Sequence, residues 1–172
     1  MYPYFRFLRV LSSARLGRRL DLGAQSTLAF RAWPGDIDVF PEMNNGRQLT
    51  VMDLGRFDLG VRTGLMNLAH RRKWGFAVAG ASVRYRKRIR PFKRFILHTR
   101  LLGYDERWFY FLQEYRCGST LCSSALIRAG VTSRTGLVPT GVVMEAMGSG
   151  DWNPVLPNWV KAWIEADDKR PG

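Results

Sequence analysis

Cysteine and histidine are scarce in this chain, with two of each among 172 residues. Cys117 and Cys122 are five positions apart, which matches neither a CxxC redox pair nor a zinc-ligand spacing. His70 and His98 form no metal-binding spacing either. We therefore expect no metal site, and we interpret the cysteines as buried free thiols in a reducing, cytoplasmic compartment.

Long apolar runs are also missing. The longest uncharged stretch, Cys117 to Ile127, has eleven residues, whereas a membrane-spanning helix needs about 20. The P-loop, GxGxxG and G-x-S-x-G signatures are absent as well. The sequence therefore predicts no membrane span, no phosphate-binding loop of those types and no Ser-His-Asp hydrolase.

Acidic residues are few relative to basic ones, because 14 Asp and Glu face 27 Lys and Arg, a formal net charge of +13. Such an excess attracts polyanions, phosphorylated ligands or an anionic membrane surface. Aromatic residues make up 13% of the chain and apolar residues 46%, which is typical of a folded protein rather than a disordered one. The length fits a single domain.

The first twenty residues alternate arginine with apolar side chains. Tyr4, Phe7, Leu8 and Leu11 follow the i, i+3, i+4, i+7 pattern of an amphipathic helix. The arginines interrupt every apolar stretch that a secretory signal would need, so we expect this segment to stay in the mature protein. We expect the helix to pack on its own domain; the alternative is peripheral contact of residues 1–20 with an anionic bilayer.

The remaining pattern is that of an α+β protein. The predicted elements are a strand over 26–33, a buried helix over about 46–59, a weaker helix or extended connection over 60–73, strands over 76–90, 95–101, 108–116 and from 121 to 130 or beyond, and a short helix over 157–166. Arg84, Arg86, Arg88 and Arg90 are predicted to share one face of the 76–90 strand. The last strands follow one another through short turns, which predicts an antiparallel meander.

The segment before the buried helix carries a D-x-D pattern followed by N-N, formed by Asp36, Asp38, Asn44 and Asn45. This pattern resembles the loop of hotdog-fold acyl-CoA thioesterases of the 4-hydroxybenzoyl-CoA type. Residues 78–85 resemble that family's second strand, and the order of elements from 28 to 136 fits. The resemblance implies an antiparallel sheet wrapped around one long central helix, with a basic amphipathic segment at 1–25, the hotdog domain at 26–150 and a helical tail at 151–172.

The resemblance also implies a catalytic site at this loop. Asp38 is expected to act as general base or nucleophile, and the backbone N–H groups around Asn44, Asn45 and Gly46 are expected to stabilise the oxyanion. The alternative is that Asp38 fixes the loop and that an asparagine caps the helix. Asp53 is a second candidate acid, because some hotdog subgroups use an acid on the helix; its alternative is an ion pair with Arg56.

The expected ligand is an acyl-CoA, with coenzyme A as part of the substrate and no separate cofactor. Candidate residues for binding it are Ser82, Arg84, Arg86, Lys87 and Arg88, since guanidinium groups bind phosphate bidentately. The alternative for this basic cluster is a solvated sheet face or a subunit contact. By resemblance the protein is expected to form a homodimer or a dimer of dimers.

One position departs from the family pattern: Glu42 stands where the family commonly has histidine. This departure makes a non-catalytic acyl-CoA-binding or scaffold protein a second hypothesis. Nucleic-acid binding is a third and weaker one, since the basic strand with Tyr85 and the nearby Phe92 has the charge and the aromatic rings for it, but the RNA-binding signature is absent.

Overall fold

In the computed structural model, which describes residues 2–171, six strands form one antiparallel sheet. The strands are β1 (Gln25–Arg31), β2 (Gly75–Tyr85), β3 (Arg94–Tyr104), β4 (Phe109–Cys117), β5 (Thr120–Ser133) and β6 (Gly136–Val138). Their order is β1-β3-β4-β5-β2, and the short β6 pairs with the end of β5. The predicted meander is confirmed as β3-β4-β5.

Within the described part of the chain, five α-helices accompany the sheet, and the longest is central. They are α1 (Tyr4–Leu16), α2 (Asn45–Thr63), α3 (Leu65–Arg72), α4 (Thr140–Ala146) and α5 (Asn158–Asp168). The side chains of α2 that enter the core include Val51, Met52 and Leu54, each fully buried. The α+β hotdog fold predicted from the resemblance is confirmed. The outermost residues of the predicted N-terminal segment and tail, 1 and 172, lie outside the described residues.

The close packing of α2 on the sheet depends on Gly55. A Cβ atom at this position would overlap the hydroxyl of Thr99 on β3 and would lie 3.0 Å from Nε2 of Gln113 on β4. Gln113 is itself buried and donates hydrogen bonds to the Met52 carbonyl and to Thr99, both at 2.8 Å. The glycine thus allows the helix to approach two strands that are tied to it by a buried amide.

The predicted strand over 76–90 is too long, because β2 ends at Tyr85. The N–H groups of Arg86 and Lys87 both donate to the carbonyl of Cys122, at 2.8 and 2.9 Å, and this doubled bond turns the chain out of the ladder. The proposed stripe of four arginines on one strand face is therefore wrong. Arg84 lies on β2, and the other three lie in the following loop.

Two helices differ from the sequence expectation. The stretch from 60 to 73 is not one weak element, since α2 continues to Thr63 and α3 follows after Gly64, whose φ of +89° ends the first helix. A left-handed residue at this position is the usual way to end a helix. The sequence also gave no indication of α4. The predicted tail helix is present as α5.

The N-terminal helix packs on its own domain, as expected, but its buried face includes only part of the predicted apolar pattern. Its buried side chains are Val10 and Ala14, and the ring of Phe7 meets that of Phe57 on α2 at 5.1 Å between centroids. Tyr4 and Leu8, which were predicted to face inward, are exposed. Among residues 2–171 no helix has both the length and the apolar character to span a membrane.

Candidate active site

The segment from Asp36 to Asn44 is a closed loop fixed by its own backbone. The N–H of Asp38 donates to the carbonyl of Glu42 at 3.0 Å, and the N–H of Asn44 donates to that of Asp36 at 2.8 Å. The buried Met43 donates its N–H to the carbonyl of Ile89 at 2.8 Å. This hydrogen bond joins the loop to residues 86–93 after β2, which we call the basic loop. The position of Asp38 is therefore set by backbone hydrogen bonds on both sides.

Asp36 is buried and its carboxylate is fully engaged. Arg6 on α1 donates to both of its oxygens, at 3.0 and 2.6 Å, and Arg47 Nε lies 3.3 Å away. The backbone N–H of Trp33 donates to it at 2.8 Å. The first acid of the D-x-D pattern is thus a structural anchor. Asp38, the second acid, is only half-buried, and one of its oxygens accepts from the N–H of Phe40 at 2.9 Å.

Helix α2 begins directly after this loop. Asn44 is its N-cap, and the side-chain oxygen of Asn44 accepts from the N–H of Arg47 at 3.1 Å. The N–H groups of Asn45 and Gly46, which precede the first intrahelical hydrogen bond, have no partner within the helix. They carry positive partial charge, and Gly46 presents its amide without a side chain. The predicted capping role of Asn44 is present in the structure.

A cleft of about 500 Å³ joins the loop to the helix start; we call it the loop cleft. Its lining includes Tyr2, Asp36, Asp38, Asn44, Arg47 and Thr50. The structure therefore brings Asp38 and the N-cap together beside one cavity, with Asn45 and Gly46 exposed in the adjoining turn. The cleft lining therefore contains both a carboxylate and the N-cap of a helix. General-base or nucleophilic attack needs the first kind of group, and oxyanion stabilisation needs the amides that follow the second.

A second cavity, of about 280 Å³, lies farther along α2; we call it the apolar pocket. It is bounded by α2, α3, α4 and the sheet and is partly open to solvent beside β2. Its lining includes Phe57, Phe76, Val78, Leu101, Phe109 and Met144. Side chains of this kind bind an apolar group. Gly60 also lines the pocket. Asp53 and Arg56 are its charged lining residues.

The Asp53 carboxylate forms an ion pair with Arg56. Arg56 also donates to Oε1 of the buried Gln113 at 2.5 Å, so that the pair is connected to the amide beneath α2. Burial raises the pKa of the Asp53 carboxyl, and the positive charge of Arg56 opposes that rise. The ion pair weighed as the alternative for Asp53 is therefore present, while the acid still faces a cavity.

The two cavities follow one another along α2. Thr50 lines the loop cleft and Asp53 lines the apolar pocket. Thr50 and Asp53 are three positions apart, which corresponds to a rise of about 4.5 Å along a helix. A ligand with a reactive group near the helix start and an apolar extension could occupy both cavities, because both lie along α2.

The candidate CoA-binding residues lie beyond the loop from Asp36 to Asn44, which we call the acid loop. Ser82 and Arg84 are exposed on β2, and Arg86, Lys87 and Arg88 are exposed in the loop that follows. Because Met43 is hydrogen-bonded to Ile89, this basic loop borders the acid loop directly.

Arg88 Nε also lies 3.0 Å from the carboxylate of Glu42, the residue at the family's histidine position. Glu42, which departs from the family pattern, thus forms an ion pair that joins the acid loop to the basic loop.

Several site residues were missed by reasoning from the sequence. Tyr2 and Arg6 come from the N-terminal segment, about thirty residues before the loop that they contact, and their spacing gives no signal for that contact. Gln113 had a weak signal, since it is a polar residue inside an aromatic strand pattern. The apolar pocket requires α3 and α4, whose positions depend on tertiary packing.

Comparisons with known proteins identify the family of this chain. Residues 32–164 match the model of the family described as the Thioesterase-like superfamily. Protein THEM6 of Xenopus laevis is 30% identical over 138 residues, which are 78% of this chain and 65% of that relative. The chain thus spans less than two thirds of that relative's length.

Two solved structures share the fold. The probable thioesterase YbaW of Escherichia coli has a TM-score of 0.66 at 16% identity, covering 72% of this chain and 96% of its own. The hypothetical protein SAV2348 of Staphylococcus aureus, solved in complex with CoA, has a TM-score of 0.65 at 10% identity, covering 83% and 95%. Since the family model spans most of the residues from β1 to α5, the chain belongs to the Thioesterase-like superfamily, the hotdog acyl-CoA thioesterase-like proteins.

Proposed function

We propose that this protein hydrolyses acyl-CoA thioesters. The observation that carries the proposal is the succession of the loop cleft and the apolar pocket along α2, with Asp38 and the helix start at one and apolar side chains at the other. Membership of the Thioesterase-like superfamily supports a thioester hydrolase in general. The acyl group would enter the apolar pocket, and its carbonyl would lie at the loop cleft.

Asp38 supplies the carboxylate for the reaction. As a general base it takes a proton from water, the resulting hydroxide attacks the carbonyl carbon, and the C–S bond breaks to release the CoA thiolate, which then takes up the proton. As a nucleophile it attacks the carbonyl carbon, and the C–S bond breaks to release the CoA thiolate and leave an anhydride. Water then cleaves the anhydride, which restores the Asp38 carboxylate, releases the acid and supplies the proton that the thiolate takes up. In both cases the N–H groups of Asn45 and Gly46, which directly follow the Asn44 cap, donate to the oxyanion.

The basic loop is proposed to bind the phosphates of coenzyme A. Arg84, Arg86, Lys87 and Arg88 are exposed, and the loop borders the acid loop through Met43 and Ile89. Guanidinium and ammonium groups suit the phosphates of a polyanionic carrier. Ser82 is proposed to contact the ligand from β2. The CoA complex of the Staphylococcus aureus relative supports a ligand of this class.

We further propose a homodimer or a dimer of dimers through β2. Its outer edge is unpaired within residues 2–171, and its exposed side chains include Phe76 at 45%, Val78 at 55% and Tyr85 at 46%. An unpaired strand of this length favours pairing with a second strand. Because Phe76 and Val78 also line the apolar pocket, a second copy at this edge would close it from solvent.

A second candidate function is acyl-CoA binding without hydrolysis. Glu42 favours it, because a carboxylate paired with Arg88 stands where the family commonly has histidine. Asp53 is the second candidate for the catalytic acid, since it lines the apolar pocket and burial raises its pKa.

The test is release of free CoA from acetyl-, benzoyl-, octanoyl- and palmitoyl-CoA by the wild type and by Asp38→Ala, Asp53→Asn and Asp151→Asn. Asp151 is an exposed acid outside both cavities and serves as the matched control. We expect Asp38→Ala to lose at least about tenfold in kcat/KM, or 1.4 kcal/mol of transition-state stabilisation, and the control to keep its activity.

The other outcomes separate the alternatives. A loss of about tenfold in Asp53→Asn, with full activity in Asp38→Ala, would assign the chemistry to the acid on the helix. Acyl-CoA binding without turnover by the wild type would favour the binding protein. Absence of both, together with salt-dependent binding of single-stranded oligonucleotides, would favour nucleic acid as the ligand and overturn the proposal.

A further inference from the structure

Helix α1 is apolar on two faces. Its inward face carries Phe7, Val10 and Ala14, which pack on the domain. Its outward face carries four large apolar side chains that are mostly exposed: Tyr4 at 65%, Phe5 at 91%, Leu8 at 58% and Leu16 at 90%. At about 100° per residue these four fall within about 120° of the helix circumference. A helix surface of this kind is usually covered by another apolar phase.

The charges around this outward face have one sign. Arg15 lies among the apolar side chains on the exposed side of the helix, and Arg18 and Arg19 follow its end and are exposed. Residues 1–20 contain no Asp or Glu. The surface is therefore apolar and cationic together, and it is part of a chain with a net charge of +13. A matching partner has to offer negative charge beside an apolar region.

We propose that α1 docks on the surface of a lipid bilayer that contains anionic headgroups. The helix lies parallel to the bilayer, with Phe5, Leu8 and Leu16 entering the boundary between headgroups and acyl chains, to a depth of about 5–10 Å. Arg15, Arg18 and Arg19 meet the anionic headgroups. The inward face keeps its contacts with α2, so docking requires no unfolding of the helix from the domain.

Charge favours a lipid surface over a second copy of the chain as the occupant. A two-fold symmetric contact through this face would oppose two helices whose only charged residues are arginines, and like charges across an interface oppose association. A bilayer with anionic lipid supplies both the negative charge and the apolar phase.

The test is co-sedimentation of the purified protein with vesicles of phosphatidylcholine alone or of an equal mixture of phosphatidylcholine and phosphatidylglycerol. Two variants change the outward face: Phe5→Ser/Leu8→Ser and Arg15→Gln/Arg18→Gln/Arg19→Gln. The triple variant Arg71→Gln/Arg72→Gln/Lys73→Gln removes the same charge from the exposed end of α3 and serves as the control. Oligomeric state and Tm are recorded for each protein.

We expect binding to the mixed vesicles to exceed binding to neutral vesicles by at least about tenfold, and each α1 variant to lose at least about fivefold while the α3 control changes less than about twofold. Equal binding to both vesicle types, no binding at all, or equal loss in the control would overturn the proposal. So would a change of oligomeric state or a large drop in Tm in Phe5→Ser/Leu8→Ser, because either would show that protein covers this face. None of these readouts depends on thioesterase activity.

Discussion

Removal of the Arg6 side chain tests whether α1 holds the acid loop in place. Arg6 donates to both oxygens of Asp36, at 3.0 and 2.6 Å, and to the carbonyl of Arg31 at 2.8 Å. The side chains of Arg6 and Asp36 are 14% and 7% exposed. Truncating one partner of a buried pair costs about 3–5 kcal/mol when the other is left alone.

In this protein Asp36 would keep two partners, Arg47 at 3.3 Å and the N–H of Trp33 at 2.8 Å. We therefore expect Arg6→Ala to lower the free energy of unfolding by about 2–3 kcal/mol, measured by urea denaturation. The control is Arg9→Ala on the same helix, whose exposed side chain donates to the carbonyl of Ala29 at 3.1 Å; we expect a loss below about 1 kcal/mol.

A double-mutant cycle with Asp36→Asn separates this contact from general effects on the helix. We expect a coupling free energy of about 1–3 kcal/mol between the two positions. If the two substitutions are additive, or if Arg6→Ala unfolds at the same urea concentration as Arg9→Ala, α1 does not anchor the loop and the reasoning is wrong.

Three further predictions concern packing, thiol reactivity and assembly. Gly55→Ala should lower the free energy of unfolding by about 1–3 kcal/mol, because the new methyl group overlaps Thr99. The control Gly141→Ala in α4 meets open space and should be neutral or stabilising. Equal urea midpoints for the two variants would contradict this prediction. Burial raises the pKa of the Cys117 thiol to about 12. Alkylation of Cys117 in the native protein at pH 8 should therefore be at least about a hundredfold slower than in urea, and its rate should rise steadily up to pH 10. A plateau in that rate below pH 9 would contradict the prediction. Val78→Lys on the exposed β2 edge should convert a homodimer to monomer in size-exclusion chromatography with light scattering; an unchanged mass would exclude that edge as the interface.

The sheet was largely predictable from the sequence because its strands alternate clearly. Phe95, Leu97, Thr99 and Leu101 occupy alternate positions of the strand predicted over 95–101, and all four are buried in β3. The short turns between β3, β4 and β5 also gave their pairing. The end of β2 was not predictable, because the alternating arginines continue the strand pattern and only the hydrogen bonds to Cys122 turn the chain away.

The N-terminal helix shows a different limit. The helical period was predicted correctly. The buried face was predicted only in part, because apolar residues occur on both sides of the helix. Tyr4 and Leu8 fit the i, i+3, i+4 pattern as well as Val10 and Ala14 do. Which face is buried depends on α2 and on the Arg6–Asp36 contact, neither of which is encoded in the local pattern.

The candidate site was only partly predictable. The resemblance of the D-x-D and N-N pattern pointed to Asp38 and Asn44, and the structure places both beside the loop cleft. The apolar pocket could not be derived, because its walls come from three helices and four strands, many of them distant in sequence. The ion pair between Glu42 and Arg88 also joins two loops whose proximity appears only in the folded chain.

The most direct test of the proposed chemistry is the single-turnover rate of thioester cleavage by Asp38→Asn, with enzyme in excess over octanoyl-CoA and with the dissociation constant measured separately. The asparagine keeps the shape of the side chain and removes its charge, so binding should stay within about twofold while the chemical step slows by at least about tenfold. A single-turnover rate equal to that of the wild type would show that the Asp38 carboxylate takes no part in the reaction.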